Sequence, residues 1–167
     1  MVDRVEQGLI DEKWMAYALE LAKKAQDIDE VPVGAVVIKA GQVVGEGWNQ
    51  VISQSDPTAH AEVVALRDAA KRLNNYRIIG ATLYVSLEPC AMCAGALLHA
   101  RIQRLVYGTS EPKNGAVSSQ FNLFELHTFN HQIEVVGGVL AEQSGDLIGS
   151  FFRNKRIAKK AEKNTPE

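Results

Sequence analysis

The sequence predicts an α/β domain, on three observations. Extended apolar runs alternate with helical runs, two of the strand ends lead into a helix start, and no repeat or linker interrupts the pattern. Trp14, Ala18, Leu21, Ala22, Ala25 and Ile28 recur at helical spacing and predict an amphipathic helix over residues 11–28. Two β-like runs, 33–38 and 42–48, flank Ala40-Gly41, which is a hairpin signal. Asp56 reads as an N-cap and Pro57 as the first residue of a helix that continues over 59–73. A second strand-to-helix unit follows, with a strand over 82–87, a turn at Glu88-Pro89 and a small-residue helix over 90–100. Residues 102–107 predict another strand. The stretch 109–130, with Pro112, Gly115 and scattered aromatics, predicts a long loop holding one short helix. An edge strand over 132–136, a break at Gly137-Gly138 and a final helix over 140–163 complete the chain. The expected sheet opens with an antiparallel hairpin and continues parallel, covered by helices.

At 167 residues, with 46% hydrophobic and 23% charged residues, the chain has the size and balance of one globular domain spanning 1–167, which argues against both a disordered chain and a membrane protein. The longest apolar stretches, at 31–38 and 135–140, fall far short of the ~20 residues of a bilayer span, so no membrane role is expected. The first residues lack the apolar core of a secretory signal, and a cytoplasmic location is expected. There a Cys-x-x-Cys pair points to metal binding or redox chemistry rather than to a disulfide. The formal charge of −2 conceals an asymmetry: residues 153–163 hold six basic side chains against Glu162, a local +5 that leaves −7 for the remainder. Such a basic C-terminal helix, at about 140–163, is an electrostatic handle for a polyanion.

His60-Ala61-Glu62 and Pro89-Cys90-Ala91-Met92-Cys93 each stand just inside an expected helix start at the end of a strand. Adjacent strands of a parallel sheet would set these helix N-termini side by side at the carboxyl edge, so His60 can meet Cys90 and Cys93. One imidazole and two thiolates make three ligands, and an open fourth position is the mark of a catalytic rather than a structural zinc. Glu62 is too close to His60 along the chain to be an obvious ligand, but it can exchange a proton with water activated at the metal. His99, His127 and His131 lack partners at ligand spacing and read as surface or structural histidines.

Thr58-Ala-His-Ala-Glu62 followed by Ser86-Leu-Glu-Pro-Cys-Ala-Met-Cys-Ala-Gly-Ala96 resembles the cytidine-deaminase-like zinc deaminases, whose signature is His-x-Glu with Pro-Cys-x-x-Cys. Val31-Pro-Val-Gly-Ala-Val36, Gly47-Trp-Asn49, Asn75-Tyr-Arg77 and Phe151-Phe-Arg153 extend the resemblance, over nearly the whole chain, to the bacterial tRNA-specific adenosine deaminases. The resemblance implies a three-layer α/β/α sandwich on a five-stranded mixed sheet, and the five strands read above agree in number. It implies one Zn2+ per subunit on His60, Cys90 and Cys93, with Glu62 as general acid and base. Asn49, Val33, Ala61 and Leu87 are implied in the substrate pocket. The implied reaction is hydrolysis of adenosine to inosine at the wobble position of a tRNA anticodon stem-loop, by a homodimer. Glu111 departs from the family, where relatives often carry Asp.

The zinc signature is shared with guanine and cytosine deaminases that act on free bases, so it specifies chemistry more closely than substrate. Phe152, Arg153 and Arg156 on the basic helix favour RNA, as candidates for stacking and phosphate contacts. The rival outside enzymology is an RNA-binding module with a structural zinc.

Overall fold

The computed structural model describes residues 1–126 and 128–166, so His127 lies outside the described residues. Along the chain run α1 (Arg4–Asp27), β1 (Gly34–Lys39), β2 (Gln42–Trp48), α2 (Ala61–Leu73), β3 (Thr82–Leu87), α3 (Ala91–His99), β4 (Arg104–Thr109), a short 3-10 turn at Leu123–Glu125, β5 (Glu134–Val136) and α4 (Ala141–Lys163). The five strands form one mixed sheet in the order β2-β1-β3-β4-β5. Helix α1 packs Met15, Ala18 and Leu21 against Val36, Ile38, Tyr84 and Val106 on one face, where Leu140, just ahead of α4, also packs. On the other face, helices α2 and α3 bury Ala61, Ala65, Ala69, Ala94, Leu97 and Leu98 against Ala35, Val37, Leu83, Val85 and Leu105. The three-layer α/β/α sandwich is therefore present.

The turn between β1 and β2 has Ala40 and Gly41 both at positive φ, 50° and 72°, the handedness that matches a two-residue hairpin. The sheet departs from expectation at its next step. Strand β1 pairs antiparallel with β3 as well as with β2, and only β3-β4-β5 are parallel. The strands that lead to His60 and to Cys90, β2 and β3, are therefore parallel but not adjacent, with β1 running between them.

Two helix starts also differ. Helix α1 begins at Arg4, with the Asp3 carboxylate accepting from the Glu6 amide at 2.8 Å. Its first turns are mostly exposed, with Val5 and Leu9 facing solvent, and the apolar positions it buries against the sheet begin only at Met15. Helix α2 begins at Ala61 rather than at Pro57, because the Asp56 side chain accepts from both the amide and the hydroxyl of Thr58, at 2.8 and 2.7 Å. That local turn competes with the helix for the same donors.

One buried ion pair ties α1 to the sheet. The Arg104 guanidinium donates to both Asp11 oxygens at 2.6 and 2.7 Å, Tyr84 donates to the same carboxylate at 2.9 Å, and Gln7 at 3.0 Å. Burial alone would raise the Asp11 pKa, but these donors outweigh it and hold the carboxyl below its ordinary 3.8. A depressed folded-state value stabilises the fold above the unfolded value, and that contribution is lost as pH falls through the folded value. Removing one partner of a buried pair leaves the other charge unpaired. Asp11→Ala is accordingly expected to lower unfolding free energy by about 3–5 kcal/mol at pH 7 in urea titrations. The gap between wild type and Asp11→Asn should narrow below pH 3.8. A gap that is constant from pH 7 to pH 2 would contradict the linkage.

Candidate metal centre and substrate cleft

The 49–60 segment brings His60 back to the sheet edge. Buried Glu30 accepts from the amides of Ile52 and Ser53 at 2.7 and 2.8 Å, and Gln50 donates to the Ala59 carbonyl at 3.0 Å, so the loop is held from within and from α1's side. At its end the helix α2 comes close to β2. A Cβ on Gly47 would stand 2.3 Å from the Ala61 carbonyl oxygen, a contact that only glycine permits.

His60 is the N-cap residue of α2 and Cys90 that of α3, each with extended backbone and neither with a side-chain cap hydrogen bond. Both are therefore free to turn towards a common point. Asn49 supplies the missing cap from β2's end, its Oδ1 accepting from the Ala61 amide at 2.8 Å. That bond orients the amide, since Oδ1 must be the acceptor and Nδ2 is left as a donor. Asn49 also donates through its own backbone N–H to the Val33 carbonyl at 3.2 Å. The expected pocket residues Asn49, Val33 and Ala61 are thus linked through the backbone. Val33 and Ala61 are buried, with Leu87 packed on the same apolar cluster.

His60 Nδ1 lies 3.6 Å from Cys90 Sγ and 3.5 Å from Cys93 Sγ, and the three donor atoms fall within 4.8 Å of one another. Bonds of about 2.0–2.1 Å to nitrogen and 2.3 Å to sulfur at a tetrahedral angle would separate N and S by about 3.6 Å. The donor set therefore fits a tetrahedral thiophilic cation. Taken alone, the side chains share protons: the Cys93 contact, with help from His60, draws Cys90 down to about 4, whereas the Cys90 contact and burial push Cys93 far up. The contact with Cys90 also raises His60. A divalent cation would deprotonate both thiols outright. Glu62, one residue into α2 and 4% exposed, is pushed above the ordinary carboxylate range by burial. A carboxyl so placed can both hold and release a proton.

Outside this cluster lies a cleft of ≈ 560 Å3 lined by His60, Cys90, Ala91, Met92, Lys113, Asn114, Gln120 and Phe121. The last four come from the loop after β4, to which the sequence alone assigns no role. Phe152, Arg153 and Arg156 are exposed on α4 and are not among the cleft's lining residues. Phe151 is buried and meets Phe152 edge-on at 5.5 Å between ring centroids. His131 donates through Nε2–H to the Ile102 carbonyl at 2.7 Å, a structural tie, and His99 is exposed.

A family model described as MafB19-like deaminase matches residues 10–156, so the fold and the His/Cys/Cys cluster define a deaminase. The tRNA-specific adenosine deaminase of Haemophilus influenzae is 56% identical over 154 residues, covering 92% of this chain and 89% of the relative. A solved structure from a study of A-to-I editing by tRNA:A34 deaminases matches with a TM-score of 0.78 at 43% identity, over 80% of this chain and 96% of that one. A guanine deaminase from Nitrosomonas europaea follows at TM-score 0.70 and 25% identity, over 84% and 83% of the two chains. The chain belongs to the tRNA-specific adenosine deaminase family.

Co2+, a spectroscopic probe for thiolate sites, should titrate to one equivalent per chain with a sulfur-to-metal charge-transfer band, and the band should vanish in Cys90→Ala/Cys93→Ala. A band that survives in the double variant would place the metal elsewhere. Asn49→Ala should cost about 1 kcal/mol of stability through the lost cap, read from thermal unfolding.

Proposed function

We propose that the chain acts as one domain that hydrolyses adenosine to inosine at the wobble position of a tRNA anticodon loop. Zn2+ is held by His60, Cys90 and Cys93, and Glu62 moves the protons. The observation that carries this reading is the convergence of His60 with Cys90 and Cys93 beside the buried Glu62 carboxyl, in a chain far closer to tRNA deaminases than to the guanine enzyme.

Bound there, zinc supplies Lewis acidity and lowers the pKa of a water towards ~7. Glu62 accepts a proton from the attacking water and delivers it to N1 of the ring as the oxygen adds to C6. It then takes the proton of the new C6 hydroxyl and passes it to the amine, so that the C6–N6 bond breaks, C6 becomes a carbonyl and ammonia leaves. The Asn49 Nδ2 donor, fixed by the Ala61 cap, holds an acceptor on the nucleoside. The anticodon loop is single-stranded, so bringing its base into the cleft costs little unstacking energy.

Phe152 offers a stacking face, and Arg153 and Arg156 supply phosphate contacts from α4, whose residues beyond Phe151 are exposed. The assembly is a homodimer of the 18.3 kDa chain, working in the cytoplasm. No described helix is long and apolar enough to cross a membrane.

Incubation with an anticodon hairpin, guanine and cytosine in parallel should give inosine and ammonia from the hairpin only. Ammonia from guanine with an inert hairpin would reverse the assignment. Glu62→Ala should retain zinc yet lose on the order of 10²–10⁴-fold in turnover, and loss of the metal would recast Glu62 as a ligand. On the hairpin, Arg153→Ala/Arg156→Ala should flatten the slope of log K against log salt by ~1.4, and an unchanged slope would remove α4 from the interface.

A further inference from the structure

Glu88 stands between the end of β3 and Cys90 and is 2% exposed. Its carboxylate is engaged by the loop that follows β4. Oε1 accepts from the Glu111 amide at 3.1 Å and from the Ser119 hydroxyl, while Oε2 accepts from the amides of Val117, Ser118 and Ser119 at 3.3, 2.9 and 3.0 Å. The flanking backbone reinforces the clamp, with Glu88 donating to the Thr109 carbonyl and Ala116 to that of Pro89, each at 2.9 Å. Gly115 lies directly on the carboxylate, since a Cβ there would stand 2.3 Å from Oε2.

The middle of this loop is held twice, because Ala116 and Val117 are buried in the core as well as bonded to the Glu88-Pro89 segment. Its flanks are different. Lys113, Asn114, Gln120 and Phe121 are exposed, bury little apolar surface that could fix them, and yet line the cleft with His60 and Cys90. The Glu88 bonds fall at 111 and at 117–119, so they bracket Lys113 and Asn114 and run from the buried Val117 out to the exposed wall beside Gln120. All five donors face a group that can only accept, so a carboxamide would set its own NH2 against at least one N–H.

We infer that Glu88 is a positioning residue, which fixes the 111–121 wall against the metal ligands that follow it by two and five residues and thereby sets substrate affinity. The inference rests on the deaminase reading above. A residue that shapes binding without touching the reacting atoms changes KM more than kcat, and misplacement by about 1 Å can cost on the order of 100-fold.

The test compares wild type, Glu88→Gln and Gly115→Ala, the last disturbing the same contact from the loop's side. Zinc content, amide exchange at residues 117–119, and kcat and KM on an anticodon hairpin are measured for each. Both variants should keep one zinc per chain, exchange these amides faster, and lose on the order of 100-fold in kcat/KM, mainly through KM. The inference is overturned if KM is unchanged, or if activity falls only in proportion to zinc or to the folded fraction. Should Glu88→Gln not fold, Gly115→Ala decides by the same criteria. A wild type that forms no inosine would overturn the deaminase reading instead, and unaltered amide exchange in the variants would still sink the clamp.

Discussion

The arrangement on which the site depends is the meeting of two helix N-termini whose cap residues do not cap. A residue at the N-cap ordinarily folds its side chain back onto its helix, which satisfies one of the free amides. His60 and Cys90 hold the cap backbone conformation but face each other instead. The arrangement is possible because Asn49 reaches across to the Ala61 amide. The local field also favours it, since the positive ends of α2 and α3 stabilise negative charge on the Cys90 sulfur.

Long-range ties hold the elements around the two caps in place. Strand β1 separates β2 from β3, so the 49–60 segment must cross back, and Glu30 holds it as it does so. On the opposite face the Asp11–Arg104 pair locks α1 to β4 through a contact that spans most of the chain. The buried carboxylates Asp11, Glu30 and Glu88 thus share one role. Each is matched to several donors: Glu30 and Glu88 order loop backbone through its amides, and Asp11 joins α1 to β3 and β4 through their side chains.

The sequence exposes what is local and conceals what is distant. The five strands, the hairpin turn and the helices α2, α3 and α4 follow from periodicity and turn residues, and the His/Cys/Cys cluster follows from motif spacing. Pro57 signals a helix start that the Asp56–Thr58 turn pre-empts, a competition between two local signals of similar strength. The antiparallel β1–β3 pairing leaves no mark in either strand, because both are buried on both faces and read the same in either direction. Glu88 stands in plain view inside the metal motif, but its partners lie 23 to 31 residues away among serines and a glycine that look like ordinary loop. An acidic residue placed between an apolar strand and a proline, with no nearby cation, is the available signal for it.

Helix α4 is exposed from Phe152 onward, so its last residues, 152–163, form an arm of about 18 Å at 1.5 Å per residue. The +5 concentrated over 153–163 stands out from a body of −7, which makes the molecule a strong electric dipole even though its isoelectric point is ≈ 6.1. At a net charge of −2 such a molecule is turned, rather than drawn in as a whole, by the field of a polyanion, and the turn puts the arm foremost. The same polarity favours one orientation at any polyanionic surface, with the basic end inward and the acidic body facing away.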